Sequence, residues 1–300
     1  MSVFGRVRPG RAADLTAVME LWKADVRAGR RDSVPGGVNL LAMSGRFDWD
    51  AKSRVFEEPT GLLAGAVFVT SRATPEGVLA NIDVAGSGEA ALELIRWALR
   101  FSRAAGGALA NLFAGRGHGE GLVELGFTRV RPWWRMDRSL AGTLPEVVPV
   151  AGYDLIDRRS AARGTWAQMH NLSFADHWRF APRTEDELLA GKAPEMCLMA
   201  LTVAEHAPAA ITICHVETFE GDARPQPVGL VSSVGTIPEH RRRGLARWLV
   251  SEGLVRLRDA GARIASLYVD GWNENRAPET YVKLGFHLAF EAEVWEIGLA

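Results

Sequence analysis

Apolar residues recur along the chain in blocks that predict strands and helices in turn. The stretch Leu62–Thr70 is almost entirely apolar, as in a buried strand, and helical spacing follows over Ala90–Ala105. The second half has the same order, with a strand over Val231–Ile237, a helix over Leu245–Ala260 and a strand over Ile264–Val269. This alternation predicts a fold in which helices pack against a sheet.

The two halves of the chain also repeat one another. Residues 103–112 parallel residues 258–267 without a gap, and the Leu-Gly-Phe triplet at 125–127 parallels the triplet at 284–286. The offset is close to half the chain in both cases, which indicates a duplicated domain. The segment Pro145–Pro149, with two prolines bracketing three residues, is typical of a linker between the halves.

A basic turn joins the strand to the helix in the second half. Arg241–Arg243 precede Gly244, and the predicted helix begins directly after it. The first N–H groups of a helix have no partner inside the helix and carry partial positive charge, so they attract anions. Gly244 lets a phosphate approach the backbone closely, and the arginines add positive charge around it. The turn is therefore a predicted phosphate site.

The residues after this turn extend the pattern to a known family. Arg241-x-x-Gly244-x-Ala246, followed by a helix, a strand and Tyr281-x-x-Leu-Gly-Phe286, resembles the GCN5-related N-acetyltransferase (GNAT) family. With the internal repeat, the chain is most similar to its two-domain, mycothiol-synthase-type members. The resemblance implies an α/β (α+β) fold of two tandem GNAT-like domains, each a mixed, mostly antiparallel central sheet flanked by helices.

The resemblance also implies acetyl-CoA as a co-substrate and assigns roles to residues. Backbone N–H groups of the turn would bind the pyrophosphate, and the edge of the strand before it would bind the pantetheine arm. A backbone amide near Val234 to Thr236 would polarise the thioester carbonyl, and Tyr281 would protonate the departing thiolate. The implied cofactor-binding residues are Val234, Gly235, Thr236, Arg241, Arg242, Arg243, Gly244, Leu245, Ala246, Asn273 and Asn275.

A catalytic base is harder to assign. A lysine-like amine has a pKa near 10.4, so it must lose a proton before it attacks. GNAT enzymes often use a glutamate on the strand that leads to the cofactor loop, where this chain has Leu230. We expect Glu217, on the preceding strand, to replace it. Solvent and the side chains of His170, His177, His215, Glu239 and Asp270 are further candidates.

The first half lacks the residues that carry this chemistry. Val84–Ala90 stands where the second half has its basic turn, and within it Glu89 would repel a pyrophosphate. Leu122–Leu125 contains no tyrosine to match Tyr281. We therefore expect residues 1–144 to form a degenerate, non-catalytic GNAT-like domain and residues 150–300 to form the catalytic one.

Composition adds several exclusions. Apolar content of 47% and charged content of 24% describe an ordinary globular protein, and a net charge of −1 gives no whole-chain attraction to nucleic acid or to an anionic membrane. Two cysteines, with no signal-like or membrane-length apolar run, predict a cytoplasmic protein. The histidines and cysteines have no metal-ligand spacing, so we expect no metal.

These expectations combine into one activity. The chain is expected to transfer an acetyl group to a primary amine of a small molecule, by direct attack in the C-terminal domain, as a monomer or homodimer. Two different functions also fit the residues, an N-acetyltransferase for proteins or peptides and a non-catalytic acyl-CoA-binding scaffold. Retention of both the Arg241 to Ala246 turn and Tyr281 argues against the scaffold.

Overall fold

The chain alternates strands and helices, as its apolar pattern predicts. The computed structural model describes residues 5–36, 43, 45, 47–219 and 222–299. The strands in these residues are β1 (Arg6–Pro9), β2 (Ser53–Glu57), β3 (Leu63–Thr74), β4 (Gly77–Gly86), β5 (Leu109–Gly115), β6 (Thr128–Ser139), β7 (Tyr153–Asp157), β8 (Cys197–Thr202), β9 (Pro208–Glu217), β10 (Val228–Thr236), β11 (Ile264–Asp270) and β12 (His287–Gly298). The α-helices are α1 (Leu15–Arg27), α2 (Trp49–Lys52), α3 (Gly88–Ala104), α4 (Thr165–Phe174), α5 (Glu185–Leu189), α6 (Leu245–Asp259) and α7 (Ala277–Lys283). Within the described ranges, none of the helices is both long and apolar enough to cross a bilayer.

The chain divides into two compact units whose boundaries differ from the predicted ones. Unit 1 comprises Met1–Trp133, Phe219–Ala223 and Phe290–Ala300, and unit 2 comprises Trp134–Thr218 and Arg224–Ala289. The predicted division at residues 144 and 150 is contiguous, whereas unit 1 includes the end of the chain. The reason is backbone pairing, because β12 runs antiparallel to β5. The apolar pattern of a strand does not specify its hydrogen-bonding partner.

Unit 1 is built on a mixed sheet with the strand order β1-β2-β3-β4-β5-β12. β4 and β5 are parallel, and the other neighbouring pairs are antiparallel. Leu94 and Ala98 of α3 share one apolar cluster with Val67 and Leu112 of the sheet. The predicted sheet type, mostly antiparallel with flanking helices, is confirmed for this unit.

Unit 2 has the strand order β6-β11-β10-β9-β8-β7 and again one parallel pair, β10 with β11. β7, β8, β9 and β10 are antiparallel to their neighbours in that series. Successive strand residues point to opposite faces. Cys214 of β9 therefore lies against Gly253 of α6, while Ile213 packs with Trp166 of α4. The sheet is covered by α6 on one face and α4 on the other.

The Leu-Gly-Phe triplets end equivalent turns in the two units. Phe127 N donates to Leu122 O, and Phe286 N donates to Tyr281 O, both at 3.0 Å. The glycine between has φ of 89° in unit 1 and 81° in unit 2, a left-handed conformation that glycine adopts without a steric cost. The sequence repeat thus reflects the same turn in both units, and in unit 2 this turn ends α7.

Candidate active site

The two parallel strands of unit 2 part midway along their length. β10 and β11 pair over Val228–Val231 and Ile264–Leu267. β10 continues to Thr236 while still paired on its other side with β9. In the described residues, the edge of β10 from Ser232 to Thr236 that faces β11 therefore has no strand partner. Such an edge can bind an extended ligand by backbone hydrogen bonds.

A β-bulge lies at the point where the strands part. The register of β10 against β9 shifts between Val231 and Ser233, so Ser232 is the extra residue, and its Oγ donates to Ile213 O at 3.0 Å. A bulge bends its strand and disrupts the ladder locally. Three residues later, a Cβ at Gly235 would lie 2.7 Å from the Cβ of Ser173, so glycine is needed for α4 to approach the strand.

Helix α6 begins where the basic turn ends. Gly244 is its N-cap with φ of 91°, and Arg242 also has a positive φ, of 64°. These left-handed residues turn the chain sharply into the helix. Leu245 is buried at the first helical position, and the N–H groups of the first turn have no acceptor within the helix. The start of α6 therefore offers N–H groups to an anion, and the anion site itself stays a prediction.

The arginines of the turn have different surroundings. Arg242 is exposed and makes no hydrogen bond or ion pair with the described part of the chain. Arg243 donates to Tyr153 Oη and to Glu239 O, each at 3.2 Å, and the same hydroxyl lies 2.7 Å from His240 Nδ1. Arg242 is thus the side chain of the turn that is most available to an anion.

The guanidinium of Arg241 is already neutralised by a carboxylate. Its Nη1 and Nη2 donate to Asp176 at 2.6 and 3.1 Å, and the bond to Arg241 holds the pKa of Asp176 below its usual range. The predicted contribution of this side chain to a phosphate site therefore stays a prediction, and its charge is already paired. The backbone N–H of Arg241 also has a partner, because it donates to Pro238 O at 3.2 Å. Asp176 carries no sequence signal for this contact, which joins residues 65 positions apart.

Asn273 and Asn275, which we expected at the cofactor arm, make bonds within the protein. Asn273 Oδ1 accepts from Ala277 N at 3.2 Å and caps α7, whose first N–H groups need acceptors. Asn275 Oδ1 accepts from Arg241 Nη1 at 3.3 Å. Both side-chain oxygens therefore organise the turn before α7, and neither supports the expected contact with the cofactor.

Tyr281 is a buried residue of α7. It belongs to the apolar cluster that contains Val231 and Leu267, the last paired residues of β10 and β11. Its ring packs edge-on against Phe286, with centroids 6.0 Å apart. Burial raises the pKa of Tyr281 above the usual value, so the phenol is protonated throughout the neutral range. A protonated hydroxyl at this position can donate a hydrogen bond to a departing thiolate.

Glu217 and His215 form a pair on the face of β9 that points away from α6. Glu217 Oε2 lies 3.5 Å from His215 Nε2, and both side chains are mostly buried. His215 pairs with Leu230 and Glu217 with Val228, so the imidazole is two residues nearer to the bulge. The pair therefore joins Glu217, the expected base, to His215, a further candidate for that role.

The four remaining candidate side chains are less suited to act as a base. Asp270 is buried, and its Oδ1 accepts from Trp272 N at 2.9 Å, closing the turn after β11. His170 stacks on Phe174 with centroids 4.6 Å apart, and His177 Nδ1 lies 3.1 Å from Trp178 O. Glu239 is exposed in a short 3₁₀ turn. In the described ranges, no cluster of three or more His, Cys, Asp or Glu residues is placed to hold a metal ion.

In unit 1 the corresponding opening is filled by the chain itself. β4 and β5 also pair over four residues each and then part. Past that point, Gly86 N of β4 donates to the buried carboxylate of Asp25 at 2.8 Å, and Gly115 N of β5 donates to Arg30 O at 2.8 Å. A Cβ at Gly115 would overlap the carbonyl of Gly29. Residues 25–30 thus bond the edges that remain open in unit 2.

Comparison with known proteins agrees with this geometry. Residues 165–286 match the family described as the acetyltransferase (GNAT) family. Two curated relatives are mycothiol acetyltransferases, from Kytococcus sedentarius (33% identity over 167 residues, 53% of this chain and 54% of the relative) and from Thermobispora bispora (34% over 170 residues, 54% and 55%). The matches therefore span about half the length of these relatives.

Solved structures extend the GNAT likeness to the whole chain at the level of fold. A GCN5-related N-acetyltransferase from Sphaerobacter thermophilus superposes with a TM-score of 0.77 at 18% identity, covering 98% of this chain and 96% of that one. A tandem GNAT protein from the clavulanic acid biosynthesis pathway gives 0.64 at 18% identity, covering 99% of both chains. The predicted tandem GNAT fold is confirmed.

The GNAT anion site predicts a specific effect of charge at Gly244. Asp at this position places a carboxylate beside the bound pyrophosphate, so we expect Gly244→Asp to weaken acetyl-CoA binding by more than about 100-fold in calorimetry. Gly244→Ala is the control, because it imposes the same left-handed strain without charge, and its Cβ has space, 3.7 Å from Val150 Cγ2. Equal losses in the two variants would contradict a phosphate at this turn.

Proposed function

We propose that the chain is an acetyl-CoA-dependent N-acetyltransferase that acetylates a primary amine of a small molecule in unit 2. The observation that carries the proposal is the open edge of β10 from Ser232 to Thr236, which lies between the N-terminus of α6 and Tyr281. An extended amide-containing arm can pair with this edge, and its pyrophosphate can bind the helix N-terminus. Relatives named mycothiol acetyltransferase support a small-molecule amine as acceptor.

The same edge is proposed to polarise the thioester. A backbone N–H between Val234 and Thr236 would donate to the thioester carbonyl, whose oxygen becomes negative as the amine attacks. The new bond joins the amine nitrogen to the carbonyl carbon, and the bond that breaks joins this carbon to sulfur. The backbone N–H groups from Arg242 to Ala246 would hold the pyrophosphate and so fix the position of the reacting end, whereas Arg241 N already donates to Pro238 O.

Tyr281 is proposed to donate a proton or a hydrogen bond to the departing thiolate. The departing thiolate needs a proton or a strong hydrogen bond, and a free thiol has a pKa of about 8.5. Because burial raises the pKa of Tyr281, its phenol remains a donor across the neutral range. Tyr281 shares one apolar cluster with Val231 and Leu267, the last paired residues of β10 and β11, which supports this role.

Glu217 and His215 are proposed to remove the proton of the amine. A carboxylate that accepts from one imidazole nitrogen orients the ring and leaves the other nitrogen to act as the base. The 3.5 Å contact between His215 Nε2 and Glu217 Oε2 supports this arrangement. In this form Glu217 acts through His215, which is the residue nearer to the bulge.

A small acceptor is favoured over a basic peptide by the surroundings of α4. The end of this helix carries the stacked rings of His170 and Phe174, with His177 edge-on to Phe174 at 6.0 Å. The nearby carboxylate of Asp176 is neutralised by Arg241. A groove for a basic peptide needs several uncompensated carboxylates, whereas aromatic rings suit a small amine with an apolar or sugar-like body.

We assign the single acyl-CoA site of the described chain to unit 2. Asp25 and Arg30 already bond the separated edges of β4 and β5 in unit 1. A pantetheine arm would have to break these bonds and displace a buried carboxylate that is also paired with Arg30 at 2.7 Å. Unit 1 is therefore proposed to be non-catalytic, as its missing basic turn and tyrosine also suggest.

The activity is tested with acetyl-CoA and a panel of amino sugars, amine metabolites and antibiotic-like amines, by release of free CoA thiol. We expect at least one small primary amine to be acetylated, and Tyr281→Phe to lower kcat by about 10²–10⁴-fold with unchanged acetyl-CoA affinity. Unchanged kcat would remove Tyr281 from the chemistry. Acetyl-CoA binding with no acetylation of any amine would favour the scaffold, and acetylation of peptides alone would favour the peptide enzyme.

Tyr153→Phe is a matched control for the tyrosine variant. It removes the same kind of hydroxyl, but one that contacts His240 and Arg243 beside the cofactor turn. We expect this variant to raise KM for acetyl-CoA and to leave kcat nearly unchanged. A fall in kcat equal to that of Tyr281→Phe would show that neither effect is specific to the thiolate.

The base is tested with a series of amines of different pKa. His215→Gln should lower kcat/KM by about 10²–10³-fold for amines that are protonated at the assay pH. The loss should shrink for amines whose pKa lies below the assay pH, because these need no base before attack. His206→Gln, in the turn between β8 and β9, is the control and should match the wild type. A loss that does not vary with amine pKa would assign His215 a structural role.

A further inference from the structure

Arg241 connects the segments that form the proposed site. Its Nε donates to Thr236 O at 3.1 Å, at the end of β10, and its Nη2 donates to Ser173 O at 3.2 Å, near the end of α4. Its Nη1 donates to Asn275 Oδ1 at 3.3 Å, in the turn that leads into the helix of Tyr281. One guanidinium thus joins β10, α4 and the turn that precedes α7.

Asp176 determines how this guanidinium is oriented. Its two oxygens accept from Nη1 and Nη2 at 2.6 and 3.1 Å, the paired geometry in which arginine binds carboxylates most strongly. It also bonds to Asn275, and the pKa of Asp176 is held below its usual range chiefly by the bond to Arg241. The carboxylate is therefore charged at neutral pH and is the anionic member of this contact.

Asn275 transmits the contact towards the tyrosine. It lies between Asn273, which caps α7 by accepting from Ala277 N at 3.2 Å, and Arg276, which has a left-handed φ of 57°. A turn with this geometry has little freedom to shift without moving the start of the helix. Tyr281 is in the second turn of α7, so its hydroxyl follows the position of this cap.

We propose that Asp176 is a positioning residue for acetyl transfer, which fixes Tyr281 relative to the thioester-binding edge of β10 through Arg241 and Asn275. This inference rests on the proposed function. Asp176 does not touch the reacting atoms in this role. Its removal leaves Arg241 with only the neutral oxygen acceptors of Thr236, Ser173 and Asn275, so the guanidinium is held less firmly against Asn275. A displacement of about 1 Å between reacting groups can lower a rate by about 100-fold.

The test is a double-mutant cycle on kcat with Asp176→Ala and Tyr281→Phe. We expect Asp176→Ala alone to lower kcat by about 10–100-fold. In the Tyr281→Phe background the same change should lower kcat by less than about threefold, because the group being positioned is already absent. A general loss of structure would lower kcat equally in both backgrounds and would overturn the proposal.

Glu195→Ala is the matched control. Glu195 pairs with Arg159 at 2.6 Å and its side chain is 48% exposed, against 2.6 Å and 50% for Asp176 with Arg241. This control should keep wild-type kcat, and an Asp176→Ala variant as active as Glu195→Ala would overturn the proposal. Asp176→Asn keeps the shape of the side chain and provides a second variant if the alanine form is unstable; it should show the same non-additive pattern with a smaller loss.

The wild-type assay separates this inference from the proposed function. Wild-type turnover with an amine establishes the function, and the cycle then decides the role of Asp176 by itself. Absence of wild-type turnover with every amine would overturn the proposed function, and the positioning role would fall with it.

Discussion

The structure of unit 2 depends on the separation of two parallel strands. A backbone N–H or C=O group away from water needs a partner, and β10 loses its partner on one side after Val231. The bulge at Ser232 is located at this point, and Tyr281 belongs to the same apolar cluster as the last paired residues. The N-terminus of α6 follows at the end of the same strand. The separation therefore creates the open edge that we propose to bind the cofactor and the place where the proposed chemistry would occur.

Unit 1 shows what happens when the same separation is closed from within. Its β4 and β5 part after equally few pairs, but Asp25 and Arg30 satisfy the exposed N–H groups of Gly86 and Gly115. Residues of unit 1 itself thus supply the hydrogen-bond acceptors for these two backbone N–H groups. Under the proposed function, this contrast explains how one copy of a duplicated fold keeps a cofactor site and the other copy loses it.

The local parts of this site could be predicted from sequence, and the long-range parts could not. Gly244, the start of α6 and the turn around Gly285 follow from neighbouring residues, because helix caps and left-handed glycines are local features. The side chain of Arg241 is different, since its partner Asp176 is 65 residues away and no spacing rule connects them. The end of the chain joins unit 1 for a similar reason, because strand pairing is decided by the whole sheet. Asn273 combines a local and a family-based prediction. Its side chain caps α7, although the family resemblance implied a ligand contact at this position.

The central claim is that the open edge in unit 2 binds acyl-CoA and the filled edge in unit 1 does not. Calorimetric titration of the full chain with acetyl-CoA tests this claim most directly, because it counts sites independently of any acceptor. The account predicts one site per chain in the wild type and in a variant, Asp83→Ala, that removes a polar contact of Arg31 in unit 1. Two sites in the wild type, or one site that persists in Gly244→Asp, would contradict it.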